Sequence, residues 1–255
     1  MSAALRVPRR LLLARACVSF LVLGLGVVVA LPAAARTKKR TKAPTIAVLY
    51  FDYSGIDPEL GALRKGLASM LINDLAQFEG VRVVERSRLQ EILTELKLNR
   101  SRRIDRRSAV KIGKIVGAQY IVLGHYIYLR KKLVIEARLL DTATTVYTKV
   151  GARAQGTAET FLQVQAAVSA ALRKQLRRLL PTLAKTGWKR RKSARKAKRF
   201  RRPKKLTLRT AVKYGQALDA KDRGKTKLAR VNLRRVLKKA PGFGLAQRDL
   251  DRLIQ

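Results

Sequence analysis

The hydrophobic pattern between residues 45 and 182 changes its period once, and that change limits the folds open to the chain. The first part alternates strand and helix. Residues 45–51 (TIAVLYF) are an uncharged run of β-branched and aromatic side chains, the pattern of a strand covered on both faces. Asp57-Pro58-Glu59 then supplies an N-cap, a proline for the first helical position and an acid for the first turn. Leu60, Leu63, Leu67, Met70, Leu71 and Leu75 follow at helical spacing to Phe78, and Gly80 stops that helix. Residues 81–85 read as a second strand, and 87–98, with Leu89, Ile92, Leu93 and Leu96, as a second helix. After a basic loop, Asp105 caps a third helix that Gly117 closes with a left-handed residue.

From Gln119 the period falls to two. Residues 119–129, 133–140 and 146–154 read as three strands, joined by connections short enough for antiparallel hairpins. A final helix over 158–180 sets Phe161, Val164, Val168, Leu172, Leu176 and Leu179 on one stripe, with Pro181 beyond it. The order βαβααβββα predicts an α/β domain over 45–182, a mixed α+β sheet with helices packed on it.

Charge decides what else the chain can be. Its 255 residues hold 58 Lys and Arg against 16 Asp and Glu, a net charge of +42. Hydrophobic residues at 47% still allow a core, so the charge points to an anionic partner or surface and not to a disordered chain. Aromatics at 5% are too sparse for a base-stacking platform. A single Cys and a single His exclude disulfide scaffolds, zinc fingers and nearly every Cys/His catalytic arrangement, and no cofactor is expected.

Residues 1–35 read as an export signal or membrane anchor. Arg6, Arg9, Arg10 and Arg15 form a positive n-region, residues 16–35 carry no charge, and Pro32 precedes the small residues Ala33, Ala34 and Ala35 of an A-x-A cleavage site. Either fate, cleavage or anchoring, places the rest of the chain outside the cytoplasm. Cys17 precedes the apolar run, unlike a lipoprotein cysteine. Residues 36–44 are a short basic linker.

Two segments follow the α/β domain. Residues 183–207 are so rich in like charge that a solvated, disordered linker is expected. Lys189, Arg190, Arg191, Lys192, Arg195, Lys196, Lys198, Arg199, Arg201, Arg202, Lys204 and Lys205 are its candidate polyanion contacts. Lipopolysaccharide phosphates and phospholipid headgroups suit them, since guanidinium forks match phosphate oxygens. Trp188 is a candidate for a membrane interface. In residues 208–255, Ala217, Gly224, Ala229, Leu233 and Pro241 fall at the small, glycine, small, bulky and proline positions of a tetratricopeptide repeat. The segment resembles one such helical hairpin. A single hairpin cannot bury its own apolar face, so it must pack on the α/β domain, on a second copy or on a partner.

Within the α/β segment, Ile46-Ala47-Val48-Leu49 with Phe51, Val83-Val84-Glu85-Arg86, Ile92 and Glu95 occur in an order that resembles the curli assembly/transport (CsgG-type) family. So do Gly113-Lys114, the run from Gly117 to Gly124, and Ala137-Arg138-Leu139-Leu140-Asp141. The similarity spans roughly residues 45–180. It implies a periplasmic domain of the broad type of FlgO-like and TolB amino-terminal domains, one that serves envelope assembly or export without catalysis. Long pore-forming hairpins are missing between these strands, so a channel is not expected. Thr144-Thr145 stands where the family tends to turn on glycine.

The matching residues also have local explanations. Glu85 and Arg86, where a strand meets a helix, can pair or cap locally; Gly124 inside a strand predicts a bulge or a close backbone neighbour. Gly224-Lys225-Thr226 mimics the end of a phosphate loop, but Asp219 stands where its first glycine belongs. His125 reads as a packed strand residue, and Asp57 as a helix cap. The function expected is that of an exported, non-enzymatic envelope protein, an assembly accessory or adaptor. It has a protein partner and can form a homo-oligomer. The alternative is a nucleic-acid-binding protein retained in the cell, a partner disfavoured by the export signal.

Overall fold

All four residues of strand β1, Thr45–Val48, are buried, as an uncharged run flanked by a strand on each side must be. The structure is a computed structural model that describes residues 43–98, 104–197 and 202–255. The expected export leader (1–35) and most of the linker after it lie outside these residues.

The run 45–51 bends after Val48, and a two-residue strand β2, Asp52–Tyr53, pairs with the far half of β4. Asp57 caps a 3-10 turn, Pro58–Ala62, accepting the Glu59 amide, and helix α1, Leu63–Ala76, follows. Strand β3, Arg82–Val83, lies parallel to β1. Helices α2, Arg86–Glu95, and α3, Arg106–Ile115, come next, α3 capped by Asp105 through the Ser108 amide at 2.7 Å. Gly117 then turns the chain at φ +64° into β4, Tyr120–Leu129. The antiparallel partners are β5, Lys132–Asp141, and β6, Ala152–Gly156. The strand order β3-β1-β4-β5-β6 is the expected mixed sheet.

Helix α4, Phe161–Leu179, packs on β5 and β6 beside α1, burying Phe161, Val168, Leu172 and Leu176. Against them the sheet offers Leu133, Ile135, Ala137 and Leu139, alternate residues of β5 and so one face.

The third hairpin strand differs from the expectation of 146–154. Asp141 accepts the Ala143 and Thr144 amides, Thr145 takes a positive φ of 58°, and Tyr147 rejoins β5 by one bridge to Leu140. The register then slips before Ala152 pairs with Ala137, so Val146 and Val150 stay exposed. Gly124 makes no bulge. It serves the other expectation, a close backbone neighbour: a Cβ there would lie 2.2 Å from the Phe51 ring and 2.6 Å from the Glu136 carbonyl oxygen of β5.

The solvated linker expected over 183–207 is corrected along its described residues. Pro181–Thr186 forms helix α5, and Lys192–Lys196 forms helix α6. The Glu79 amide donates to the Lys189 carbonyl and the Arg191 amide to Gln77, both at 2.8 Å. Trp188 meets Phe78 edge to face and donates to the Arg173 carbonyl at 2.9 Å, so it anchors the strip to the fold. The physical reason is spacing. Leu183, Ala194, Pro203 and Leu206 punctuate the run and are buried, while among the described residues Lys185, Lys189, Arg190, Lys192, Lys204 and Lys205 are exposed.

Residues 208–255 form the two helices of a hairpin, α7, Leu208–Asp222, and α8, Thr226–Lys239, and a third, α9, Gly244–Ile254, which carries the leucines Leu245, Leu250 and Leu253 that the sequence also allows to begin a helix. They belong to the same compact unit as the sheet, with α7 against α1.

Candidate functional site

Helix α7 approaches α1 through two glycines. A Cβ on Gly215 would lie 1.9 Å from the Ala62 carbonyl oxygen, and one on Gly66 would lie 3.2 Å from that of Ala211. This contact brings Lys65 of α1 to Asp219 and Asp222, three apart and so on one side of α7. Lys65 Nζ donates to Asp219 at 3.0 Å and to Asp222 at 2.8 Å. Arg86, at the start of α2, donates to both oxygens of Asp222 at 3.0 and 2.9 Å and to the Tyr50 hydroxyl at 3.2 Å. That hydroxyl donates in turn to Gln90 at 2.8 Å.

The cluster is shielded from water, with Asp222 only 7% exposed and Arg86 12%. Burial pushes Tyr50 up to about 12. Burial also works against the charge on Arg86, but the Tyr50 oxygen and the Asp222 carboxylate outweigh it and raise its pKa. Lys65 and Arg86 thus share the Asp222 carboxylate, while Asp219, nearer the surface, takes Lys65 and Arg223.

A second network lies on the same joint. Tyr214 donates to Asp249 of α9 at 2.8 Å, and the Ser69 hydroxyl of α1 lies 3.0 Å from the same phenol. With its proton on Asp249, Tyr214 accepts from Ser69. Burial raises the Tyr214 pKa well above its ordinary value. Arg248 and Lys221 stand 3.4 and 3.6 Å from Asp249. A third buried acid, Asp74, takes a hydrogen bond from Gln165 at 2.9 Å and an ion pair from Arg202 at 2.6 Å.

Two clefts open along this joint, of about 1140 and 540 Å³. Gln90 and Asp222 line both, so the Arg86–Asp222 bridge stands at their boundary. The larger cleft is walled by Leu93 and Leu228 and edged by Lys213, Lys225 and Arg235. Its aspartates are engaged by Lys65, Arg86 and Arg223, so what it offers a visitor is positive charge beside apolar surface. That is binding chemistry. Among the described residues no three His, Cys, Asp or Glu stand together as a metal site.

The structure disperses the residues singled out in the sequence. Lys189, Arg190, Lys192, Lys204 and Lys205 are exposed. Arg191 instead donates to the Val81 carbonyl at 2.6 Å, and Arg202 is spent on Asp74. Arg195 and Lys196 fall in α6, while Lys198, Arg199 and Arg201 lie outside the described residues. Glu85 is exposed at the N-cap of α2 without capping it, and Glu95 is exposed at its end. Arg86 makes no local pair with Glu85; it reaches across to α7, a correction that only the helix packing reveals. A Cβ on Gly113 would lie 2.5 Å from Ile121, which fixes α3 against β4. His125 is not packed. Its side chain is 51% exposed and lies 3.5 Å from Glu136.

Lys65, Tyr50, Asp219, Asp222, Tyr214 and Asp249 went unnoticed in the sequence. The usable signal was scarcity: with 16 acids among 58 cations, acids on an otherwise basic helical pair mark places where the fold itself needs negative charge.

Residues 32–132 match the family of the curli production assembly/transport component CsgG. This agrees with the resemblance read from 45 onward and covers β1 to the start of β5. No curated protein matches the chain. Similar solved structures include the C-terminal domain of LpoB from Salmonella enterica (16% identity, TM-score 0.38, 45% of this chain and 83% of that one). The PelC dodecamer from Paraburkholderia phytofirmans is 14% identical with a TM-score of 0.33, over 54% of this chain and 88% of that one. TolB from Acinetobacter baumannii is 14% identical with a TM-score of 0.31, over 53% of this chain and 28% of that one.

Proposed function

We propose that the chain is an exported, non-enzymatic envelope protein, an accessory or adaptor for assembly or transport across the envelope. The match of residues 32–132 to the curli production assembly/transport family carries this reading. The leader pattern of residues 1–35 supports it, and so does the way α7–α9 are bolted to the α/β layer by buried ion pairs. Such a joint makes a stiff platform, suited to presenting surfaces to a partner protein or to further copies of itself. Among the described residues no helix is long and apolar enough to cross a membrane. The exposed Lys189, Arg190, Lys192, Lys204 and Lys205 are held on a docked strip, positioned for an anionic envelope component such as lipopolysaccharide or phospholipid.

Cell fractionation with N-terminal sequencing tests the reading. A mature chain beginning at Arg36 in the periplasm, or an intact chain held at the membrane with its folded part outside the cytoplasm, supports it. Intact chain in the cytoplasm, co-purifying with nucleic acid, overturns it.

A further inference from the structure

Helix α8 has a surface that its packing does not explain. Its sequence, TKLARVNLRRVLKK, holds six cations and no acid. At about 100° per residue, the buried Ala229, Asn232, Leu233 and Val236 occupy one side, and Lys227, Arg230, Arg234, Arg235, Lys238 and Lys239 spread over the other. Between them Leu228 and Val231 stand in solvent, 49% and 43% exposed.

A structural role fits this face badly. Arg230 and Arg234, Arg234 and Lys238, and Arg235 and Lys239 are like charges four apart, and each pair repels. Lys227 lies in the first turn, where the helix dipole disfavours a cation. Among the described residues none of the six cations has an ion-pair partner, although α7 and α9 on either side carry paired aspartates.

We infer that the outer face of α8 docks on an anionic phospholipid surface. Phosphates of the headgroups meet the cation ring, while Leu228 and Val231 enter the layer beneath them. The two apolar side chains decide between polyanions. A nucleic acid rewards cations but offers nothing to an aliphatic residue among them, whereas a lipid surface rewards both. Leu228 and Arg235 also edge the larger cleft, so one headgroup can be held between α8 and α7.

The test uses the full chain carrying Cys17→Ser and Val231→Cys, labelled at the new thiol with an environment-sensitive fluorophore. It is mixed with vesicles of phosphatidylcholine alone, and with vesicles that also contain phosphatidylglycerol. A blue shift with the anionic vesicles only, lost at high salt, is expected. Arg234→Gln, Arg235→Gln and Lys238→Gln together weaken that response roughly a hundredfold, at about fivefold per cation. Lys174→Gln, Arg177→Gln and Arg178→Gln together, exposed cations of α4, leave the α8 signal nearly unchanged. Circular dichroism confirms that both triple variants remain folded. An equal shift with neutral vesicles, no shift at all, or the same shift with duplex DNA overturns the inference.

Discussion

The joint beneath α7 and the outer face of α8 are built from the same cations and put them to opposite use. At the joint, Lys65 and Arg86 sit within 3.0 Å of Asp222, and the charges close on themselves. On α8, six cations share 14 residues with no acid. In a chain with so few acids, their location separates cations that hold the fold from cations that face something else. Basic composition alone says nothing about which is which.

Breaking the joint has the largest expected effect. Asp222→Ala leaves two buried cations without their shared partner and costs about 4 kcal/mol in a urea titration. A loss under about 1 kcal/mol would mean that the pair is as solvated as a surface bridge and that the two regions do not differ. Alkaline unfolding comes next. Tyr50 titrates at about 12 in the folded chain against an ordinary 10.0. Below pH 10 the phenol is neutral in both states and its contribution is intact; above it, the unfolded chain gives up the proton first. Stability therefore falls as pH rises from about 10 to about 12, by up to about 3 kcal/mol from this group. Tyr50→Phe flattens that part of the fall, measured as unfolding midpoint against pH. Part of the fall remains, because burial also raises Tyr126 and Tyr214. Gly215→Ala, which pushes a methyl into the Ala62 carbonyl, follows at about 2 kcal/mol by thermal melting.

Local chemistry was readable in the sequence and long-range chemistry was not. Asp57 and Asp105 cap where their spacing says they should, and Gly117 takes the left-handed turn, because each effect acts within four residues. The mixed sheet was legible for a similar reason, since a period of two and a period of 3.6 are local patterns. The slipped register before β6 was missed because residues 146–150 alternate like a strand, while an Asp141 turn and a positive φ at Thr145 spend those residues on a loop. The docked strip was missed because its charge is continuous in sequence, whereas its buried anchors are sparse and Trp188 finds its partners far away, at Arg173 of α4 and at Phe78 just after α1. Arg86 with Asp222, 136 residues apart, leaves no mark in any window.

The smallest predicted effect sharpens the comparison most, because its sign is opposite. Arg234 stands four residues from both Arg230 and Lys238, so Arg234→Gln removes two like-charge pairs from an exposed helix face. Glutamine keeps nearly the same helix propensity, and Arg234 is exposed, so nothing buried is lost. The variant should gain a few tenths of a kcal/mol, read as a raised urea midpoint with unchanged slope at low ionic strength, and the gain should shrink as salt screens the repulsion. A loss of stability would show that Arg234 is held by a contact within the fold, which would make α8 an extension of the joint. A gain that coexists with weaker vesicle binding would show a helix kept below its own optimum for stability by what it meets outside.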